Sequence, residues 1–162
     1  MKKHYDQVYR FHAAAGIEMP DKPTKLDRGG RPAWPDKYGQ KLAELSEEMK
    51  MWNPMNGGEA LKRASYMVEE MGEFLTAETI EDQTDALIDL IYFAIGTFTL
   101  MGVNPEPLFN IVARANLGKI MPDGTVLRDE QGKIQKPDGW KEKFAPEQKI
   151  KDEIERQAQV SE

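Results

Sequence analysis

Two neighbouring stretches of the chain, VEEMGEFL and TDALIDLIYFAIGTF, combine a helical apolar repeat with acidic side chains. The acids are Glu69, Glu70 and Glu73 in the first stretch and Asp85 and Asp89 in the second. Residues three or four apart share one face of a helix, so Glu70 and Glu73 project together. Asp85 and Asp89 do the same on the second helix. Because the linker ETIEDQ is short, the two helices are expected to be antiparallel neighbours with their acids converging across the groove.

Asp89 carries the strongest constraint, because its sequence neighbours are almost wholly apolar. This pattern predicts a buried carboxylate, which costs several kcal/mol unless something pairs with it. Carboxylate oxygens without cysteine, and with few histidines, favour Mg²⁺ or a similar hard cation. The predicted ligands are Glu70, Glu73, Asp85 and Asp89. Glu69 points about 100° away from Glu70 and is interpreted as a further ligand or as a base that orients water.

Two other readings of the acids are open at this point. Glu69 and Glu73 are compatible with a solvated acidic face, which is the usual position of helical glutamates. A di-iron bundle also uses inward carboxylates, but it requires Glu-x-x-His motifs from two helices. His4 and His12 are distant in sequence and lie in no such motif, so they are interpreted as surface or packing residues.

Length and charge restrict the class of protein. A chain of 162 residues is predicted to form one domain over 1–162, and its net charge of −6 argues against a surface that binds a nucleic-acid polymer. The absence of cysteine excludes disulfides and Cys-ligated metals. The N-terminus resembles no signal peptide, and the apolar run 86–103 contains Asp89. We therefore predict a buried helix rather than a membrane span, and a cytoplasmic protein.

The apolar spacing predicts an all-α fold. The predicted helices cover residues 3–15, 38–52, 59–77, 79–102 and 105–119, with Thr79 as an N-cap and Asp82 as a weak capping-box partner. Residues 16–37 are rich in Pro, Gly, Asp and Lys and are predicted to form an irregular arm. The domain core is placed at about 38–120. The extension 121–162 is predicted to contain a turn-rich, hairpin-like segment followed by a polar helix.

Three motifs together resemble the all-α nucleoside triphosphate pyrophosphohydrolases: RASYMVEEMGEF, DALIDLIYFAIGTF and ANLGKI. This group includes MazG-type enzymes, dimeric dUTPases and phosphoribosyl-ATP pyrophosphohydrolase, and its pattern is EExxE followed by ExxD on the next helix. Glu69, Glu70 and Glu73 match the first motif and Asp89 matches the final Asp. The chain departs from the pattern at Ala86, where relatives carry Glu. Asp85 is the expected substitute, and a pair formed by Asp82 and Asp85 is the alternative.

The resemblance implies a four-helix-bundle-like core with an irregular N-terminal arm and a turn-rich C-terminal segment. It also implies nucleotide contacts on the last core helix and in the later segment GKIQKPDGW. A further contact is implied for Arg63, six residues before Glu69, where relatives often carry Arg. The predicted substrate-binding residues are therefore Arg63, Asn116, Lys119, Lys133, Lys136 and Trp140. Lysine supplies charge for phosphate and Trp140 offers a face for a base. The plain alternatives are a solvated lysine, a packing tryptophan and, for Arg63, a surface salt bridge.

The activity implied is hydrolysis of an NTP or dNTP to the NMP and pyrophosphate, with Glu69 and Glu70 as catalytic residues. The implied cofactor is Mg²⁺, replaceable by Mn²⁺, with more than one ion per site. The implied assembly is a homodimer or homotetramer, with the arm at 16–37 reaching a neighbour. The rival hypotheses are a phosphoribosyl-ATP pyrophosphohydrolase, a nucleotide-sensing pseudoenzyme suggested by Ala86, and a non-catalytic helical module. The last would bind a partner through Met49, Met51, Trp52 and Met55.

Overall fold

A computed structural model describes residues 1–29, 33–56 and 58–160. The helices are α1 Lys2–Ala14, α2 Ala33–Asn56, α3 Glu59–Thr76, α4 Ile80–Leu100, α5 Pro105–Leu117, α6 Trp140–Phe144 and α7 Glu147–Val160. Within these residues the only β pairing consists of two isolated antiparallel bridges, Ile120 with Val126 and Arg128 with Ile134. The predicted all-α class is confirmed, and the bridges lie in the segment predicted to be hairpin-like.

Four predicted helices agree with the structure to within two residues at each end, whereas α2 is longer than predicted at both ends. It begins at Ala33, inside the predicted arm, because Pro35 lies in the first turn, where a missing N–H costs nothing. It continues to Asn56, four residues beyond the predicted end at residue 52. Residues 30–32 of the predicted arm, and Gly57, lie outside the described residues.

The start of α4 shows the predicted cap. Thr79 has an extended backbone and its hydroxyl accepts a hydrogen bond from the Asp82 backbone N–H at 3.1 Å. The same hydroxyl donates to the Asp82 carboxylate at 2.6 Å. Asp82 is therefore engaged at the helix terminus, which is the position where a carboxylate also interacts favourably with the helix dipole.

The chain divides into two compact units. The first contains residues 1–19 and 103–162, with α5 in contact with both α1 and α7. His4 stacks on Phe109 with ring centroids 4.4 Å apart, as expected for a packing histidine, and the Gln7 side-chain amide donates to Asn110 at 3.0 Å. The predicted single-domain organisation stays a prediction.

The second unit contains residues 20–102, and in it α3 packs against α2 on one side and α4 on the other. Part of the predicted arm is bound to this unit's own helices. The Leu26 backbone exchanges two hydrogen bonds with the side chain of Gln83, and Lys25 donates to the Glu78 carbonyl. Arg28 donates to the Leu75 carbonyl and pairs with Asp36. Residues 25–28 therefore strap the α3–α4 connection.

No single helix in the described ranges is long and apolar enough to span a membrane, and α4 and α5 meet that requirement only when taken together.

Candidate active site

Glu70 is the buried acid of the site. It lies on the side of α3 that faces α4, and only 7% of its surface is exposed. A cavity of about 140 Å³ lies beside it, with a lining that is otherwise apolar: Met71, Phe74, Leu75, Ala86, Leu87 and Leu90. The Ala86 side chain is itself 2% exposed, so a small residue faces Glu70 at the position where the family pattern has Glu.

The electrostatic surroundings of Glu70 are unfavourable to its charged form. Its Oε2 atom is buried and has no hydrogen-bond partner among the described residues. Burial, followed by the charges of Glu73, Asp89, Glu69 and Asp85, raises the pKa of Glu70 from 4.5 to about 7. Each of the other four acids therefore acts electrostatically on Glu70, while the predicted convergence of the acids around a cation stays a prediction. A carboxyl in this state is stabilised by any cation that replaces the missing partner.

The predicted burial of Asp89 is wrong for the single chain, because Asp89 is exposed, as are Asp85 and Glu73. The apolar neighbours of Asp89 are exposed as well: Ile88 is 50% and Tyr92 73% accessible. Sequence hydrophobicity was misleading here. A run of apolar residues indicates that a segment tends to be buried, but it does not show which side chains are buried by the same chain.

The acids lie near one another but do not form a complete set of ligands around one cation position. In the part of the chain that the structure describes, no three Asp, Glu or His side chains lie close enough to hold a metal ion together. Among the candidates for the position of the missing Glu, Asp82 is engaged by Thr79 at the helix cap. Asp85 has no such engagement to give up and lies within the electrostatic reach of Glu70.

Glu69 lies on the opposite flank of α3, where it faces α2. Its Oε1 atom accepts a hydrogen bond from the Lys50 ammonium at 2.9 Å, and Lys50 also donates to Glu47 at 3.0 Å. These carboxylates raise the pKa of Lys50. A groove of about 260 Å³ follows this contact, lined by Asp36, Gly39, Gln40, Ala43, Glu47, Glu69, Gly72, Glu73 and Thr76. The acids of EExxE are therefore divided between two grooves.

Arg63 is committed to packing between α3 and α4. Its Nη2 donates to the Phe93 carbonyl at 2.7 Å and its Nε to the Thr97 hydroxyl at 3.1 Å. The guanidinium also lies over the rings of Tyr66 and Phe93. Its Nε and Nη2 are therefore engaged within this unit, no salt bridge of Arg63 occurs among the described residues, and the predicted phosphate contact stays a prediction.

Asn116, Lys119 and Lys136 come together in the first unit. The Lys119 ammonium donates to the Asn116 side-chain oxygen at 2.8 Å. Burial and then the charge of Lys136 lower the pKa of Lys119. Two lysines in proximity are suited to an anion, while the predicted nucleotide contact of Asn116 and Lys119 stays a prediction. Lys133 is exposed in the turn that follows Asp129.

Trp140 is a packing anchor rather than an open stacking face. It is 5% exposed, and its Nε1 donates to the Ala115 carbonyl at 2.8 Å. Lys136 lies over its ring at 4.4 Å. The predicted stack on a base is therefore wrong for this arrangement, because the ring is already covered by protein. The packing alternative describes Trp140 correctly.

Sequence reasoning did not find Lys50. Its pairing with Glu47, three residues earlier, is a local helical signal, but the pairing with Glu69 depends on how α2 and α3 are placed side by side. A single sequence does not show how two helices are aligned side by side. The large acidic content next to Glu69 was the only hint that a base should lie nearby.

The fold and this acid cluster define a class, the all-α pyrophosphohydrolases, which are hydrolases acting on acid anhydrides. A family model described as phosphoribosyl-ATP pyrophosphohydrolase matches residues 9–116, and the chain belongs to that family. A protein from Exiguobacterium sp. 255-15, provisionally described as an NTP pyrophosphohydrolase, has a similar crystal structure. The two are 28% identical, with 98% of each chain covered and a TM-score of 0.62. No curated protein sequence gives a significant match.

Proposed function

We propose that the protein hydrolyses a nucleoside or deoxynucleoside triphosphate to the monophosphate and pyrophosphate. The observation that carries this proposal is the Glu70 carboxyl, which is buried among the charges of four further acids and whose Oε2 has no partner among the described residues. A cation would satisfy such a group, and a triphosphate is a natural companion of a bound divalent ion. The Exiguobacterium protein, which is provisionally described as an NTP pyrophosphohydrolase and is similar over 98% of each chain, supports the choice of substrate.

The chemistry of these residues suits a hard divalent cation, although their side chains are not arranged around one position. Carboxylate oxygens are the ligands that Mg²⁺ prefers. The Oε2 atom of Glu70, which has no hydrogen-bond partner among the described residues, is available as such a ligand. Glu70, Glu73, Asp85 and Asp89 would hold Mg²⁺, or Mn²⁺ in its place, and four acids are enough for more than one ion. When bound, the cation supplies charge that neutralises the triphosphate and polarises the α-phosphorus.

The chain's own groups supply the remaining chemistry. Glu69, turned toward α2 and bonded to Lys50, is proposed to orient a water and take its proton. The apolar residues around Glu70 exclude bulk water and strengthen every charge interaction there. Lys119, with Asn116 fixing its ammonium, is proposed to bind phosphate, as is Lys136; exposed Lys133 is proposed as a peripheral contact.

We also propose that the protein works as a homodimer or homotetramer. The support is the outer face of α4, where Ile88, Tyr92 and Ile95 are each at least 45% exposed around Asp89. A second copy would cover this apolar face and shield Asp89 from water. Sedimentation equilibrium is expected to give an oligomer, and a monomer at micromolar concentration would contradict the proposal.

Phosphoribosyl-ATP is the second candidate substrate, favoured by the description of the matching family. One screen decides between the two. The purified protein is incubated with each common NTP and dNTP and with phosphoribosyl-ATP, in Mg²⁺, Mn²⁺ or EDTA, and the products are separated by chromatography. The proposal expects monophosphate and pyrophosphate from one or more triphosphates, lost in EDTA. Turnover of phosphoribosyl-ATP alone supports the second candidate, and turnover of no nucleotide contradicts both.

A further inference from the structure

Lys50 makes a contact to which the proposed hydrolysis assigns no role. Its ammonium bridges Glu47 on its own helix and Glu69 on α3, at 3.0 and 2.9 Å. Its side chain is 29% exposed and that of Glu69 37% exposed, so the pair is half-buried rather than free in solvent. A charge-assisted bond in such a position orients its carboxylate more strongly than a solvated pair does.

The distance between the two helices is fixed independently of this ion pair. The buried hydroxyl of Ser46 donates to the Ser65 carbonyl at 3.0 Å. Gly39 and Gly72 permit a close approach further along, where a β-carbon on Gly72 would lie 3.1 Å from the Gly39 carbonyl oxygen. Because the backbones are held at both places, Lys50 reaches Glu69 from a rigid support.

Only the Oε1 atom of Glu69 is engaged within the described part of the chain. This leaves Oε2 as the oxygen that can accept a proton from a water. Holding one carboxylate oxygen fixes the direction in which the other points, and the alignment of a water depends on that direction.

We propose that Lys50 is a positioning residue that holds the Glu69 carboxylate in the orientation its catalytic role requires, with Glu47 holding Lys50 in turn. This inference rests on the proposed hydrolysis and adds a residue to it. It acts through Glu69, so it is expected to change turnover rather than the binding of substrate or of the cation.

The test compares Lys50→Met, Lys50→Arg and the matched control Lys62→Met, whose lysine pairs, among the described residues, only with Glu59 at 3.8 Å. Lys50→Met is expected to lower kcat by about 10- to 100-fold, with KM within about twofold of wild type. Lys50→Arg should recover most of kcat, and Lys62→Met should match wild type. Mn²⁺ affinity by calorimetry should be unchanged in all three variants.

A smaller loss of kcat in Glu47→Gln is expected, since Lys50 keeps its bond to Glu69. If Lys50→Met does not fold, Lys50→Arg and Glu47→Gln carry the test by the same kcat and KM comparison. Equal kcat in Lys50→Met and Lys62→Met, or a higher kcat in Lys50→Met, would overturn the inference while leaving the hydrolysis intact. A wild-type protein inactive on every nucleotide would instead overturn the proposed function.

Discussion

The two flanks of α3 handle charge in opposite ways. On the α2 flank, Glu69 is paired with Lys50, and the helices meet through glycine and serine. On the α4 flank, Glu70 is enclosed by apolar side chains and its Oε2 has no partner in the described structure. A satisfied ion pair supports a structure, whereas a buried unpaired carboxyl reduces its stability. This difference supports the proposals that the α4 flank binds a cation and that Lys50 on the α2 flank positions Glu69.

The largest effect is expected when the cation proposed for the α4 flank loses charged ligands. Glu73→Gln and Asp89→Asn should each lower nucleotide turnover by about 100-fold or more, because each removes a ligand charge without changing shape. The measurement is pyrophosphate release at saturating Mg²⁺, with circular dichroism to verify the fold. Glu59→Gln is the control, because Glu59 is an exposed acid on α3, the helix that carries Glu73. Near-normal turnover in either variant would show that the substituted residue is not part of the site.

The second effect concerns stability and pH on the same flank. Between pH 4.5 and about 7 the folded protein binds a proton at Glu70 that the unfolded chain has released. The free energy of unfolding of the metal-free protein should therefore fall as pH rises through this window, by up to about 3 kcal/mol. Urea unfolding measures it. Glu70→Gln should flatten this part of the profile, and a variant as steep as wild type would contradict the assignment.

The third effect tests the close packing of the α2 flank. A β-carbon on Gly39 would lie 3.1 Å from the Gly72 carbonyl and would also collide with the methyl group of Thr76. Gly39→Val should therefore destabilise the protein by about 2 kcal/mol in urea unfolding. Gly58→Ala, at a glycine with open space around it, is the control and should have a much smaller effect. Equal stability of the two variants would show that the helices can separate at little cost.

The smallest effect concerns the buried hydroxyl that joins α2 to α3. Ser46→Ala removes the bond to the Ser65 carbonyl and should cost about 1 kcal/mol of stability. Nucleotide turnover should be nearly unchanged, since Glu69 and Lys50 remain in place. A kcat loss as large as that of Lys50→Met would mean that the helix spacing, and not the ion pair, sets the orientation of Glu69.

Local features of the fold could be predicted from the sequence, because local rules determine them. The three- and four-residue spacing of apolar side chains gave α1, α3, α4 and α5 to within two residues at each end, and Thr79 was identified as a cap from its residue type and position. Helix geometry and a short linker led to the prediction that the acids converge; in the structure four acids act on the pKa of Glu70, although Glu69 faces α2. The length of α2 could not be predicted, because Pro35 looked like part of a loop.

Tertiary features of the site could not be predicted in the same way. The exposure of Asp89 depends on which face of α4 its own chain covers, and the apolar pattern does not contain that information. Lys50 meets Glu69, and the Trp140 ring is covered, only through the packing of separate helices or segments. The resemblance supplied roles for Arg63 and Trp140, but their local contacts differ from those roles in this chain.

Calorimetric titration of Mn²⁺ at pH 7 into the wild-type protein and Glu70→Gln, in buffers of different ionisation enthalpy, tests the central claim most directly. Because the pKa of Glu70 is about 7, cation binding to the wild type should release about half a proton at this pH. Glu70→Gln should bind Mn²⁺ more than tenfold more weakly, without that release. Equal affinity and equal proton release in the two proteins would contradict the account that Glu70 is the buried centre of a cation site.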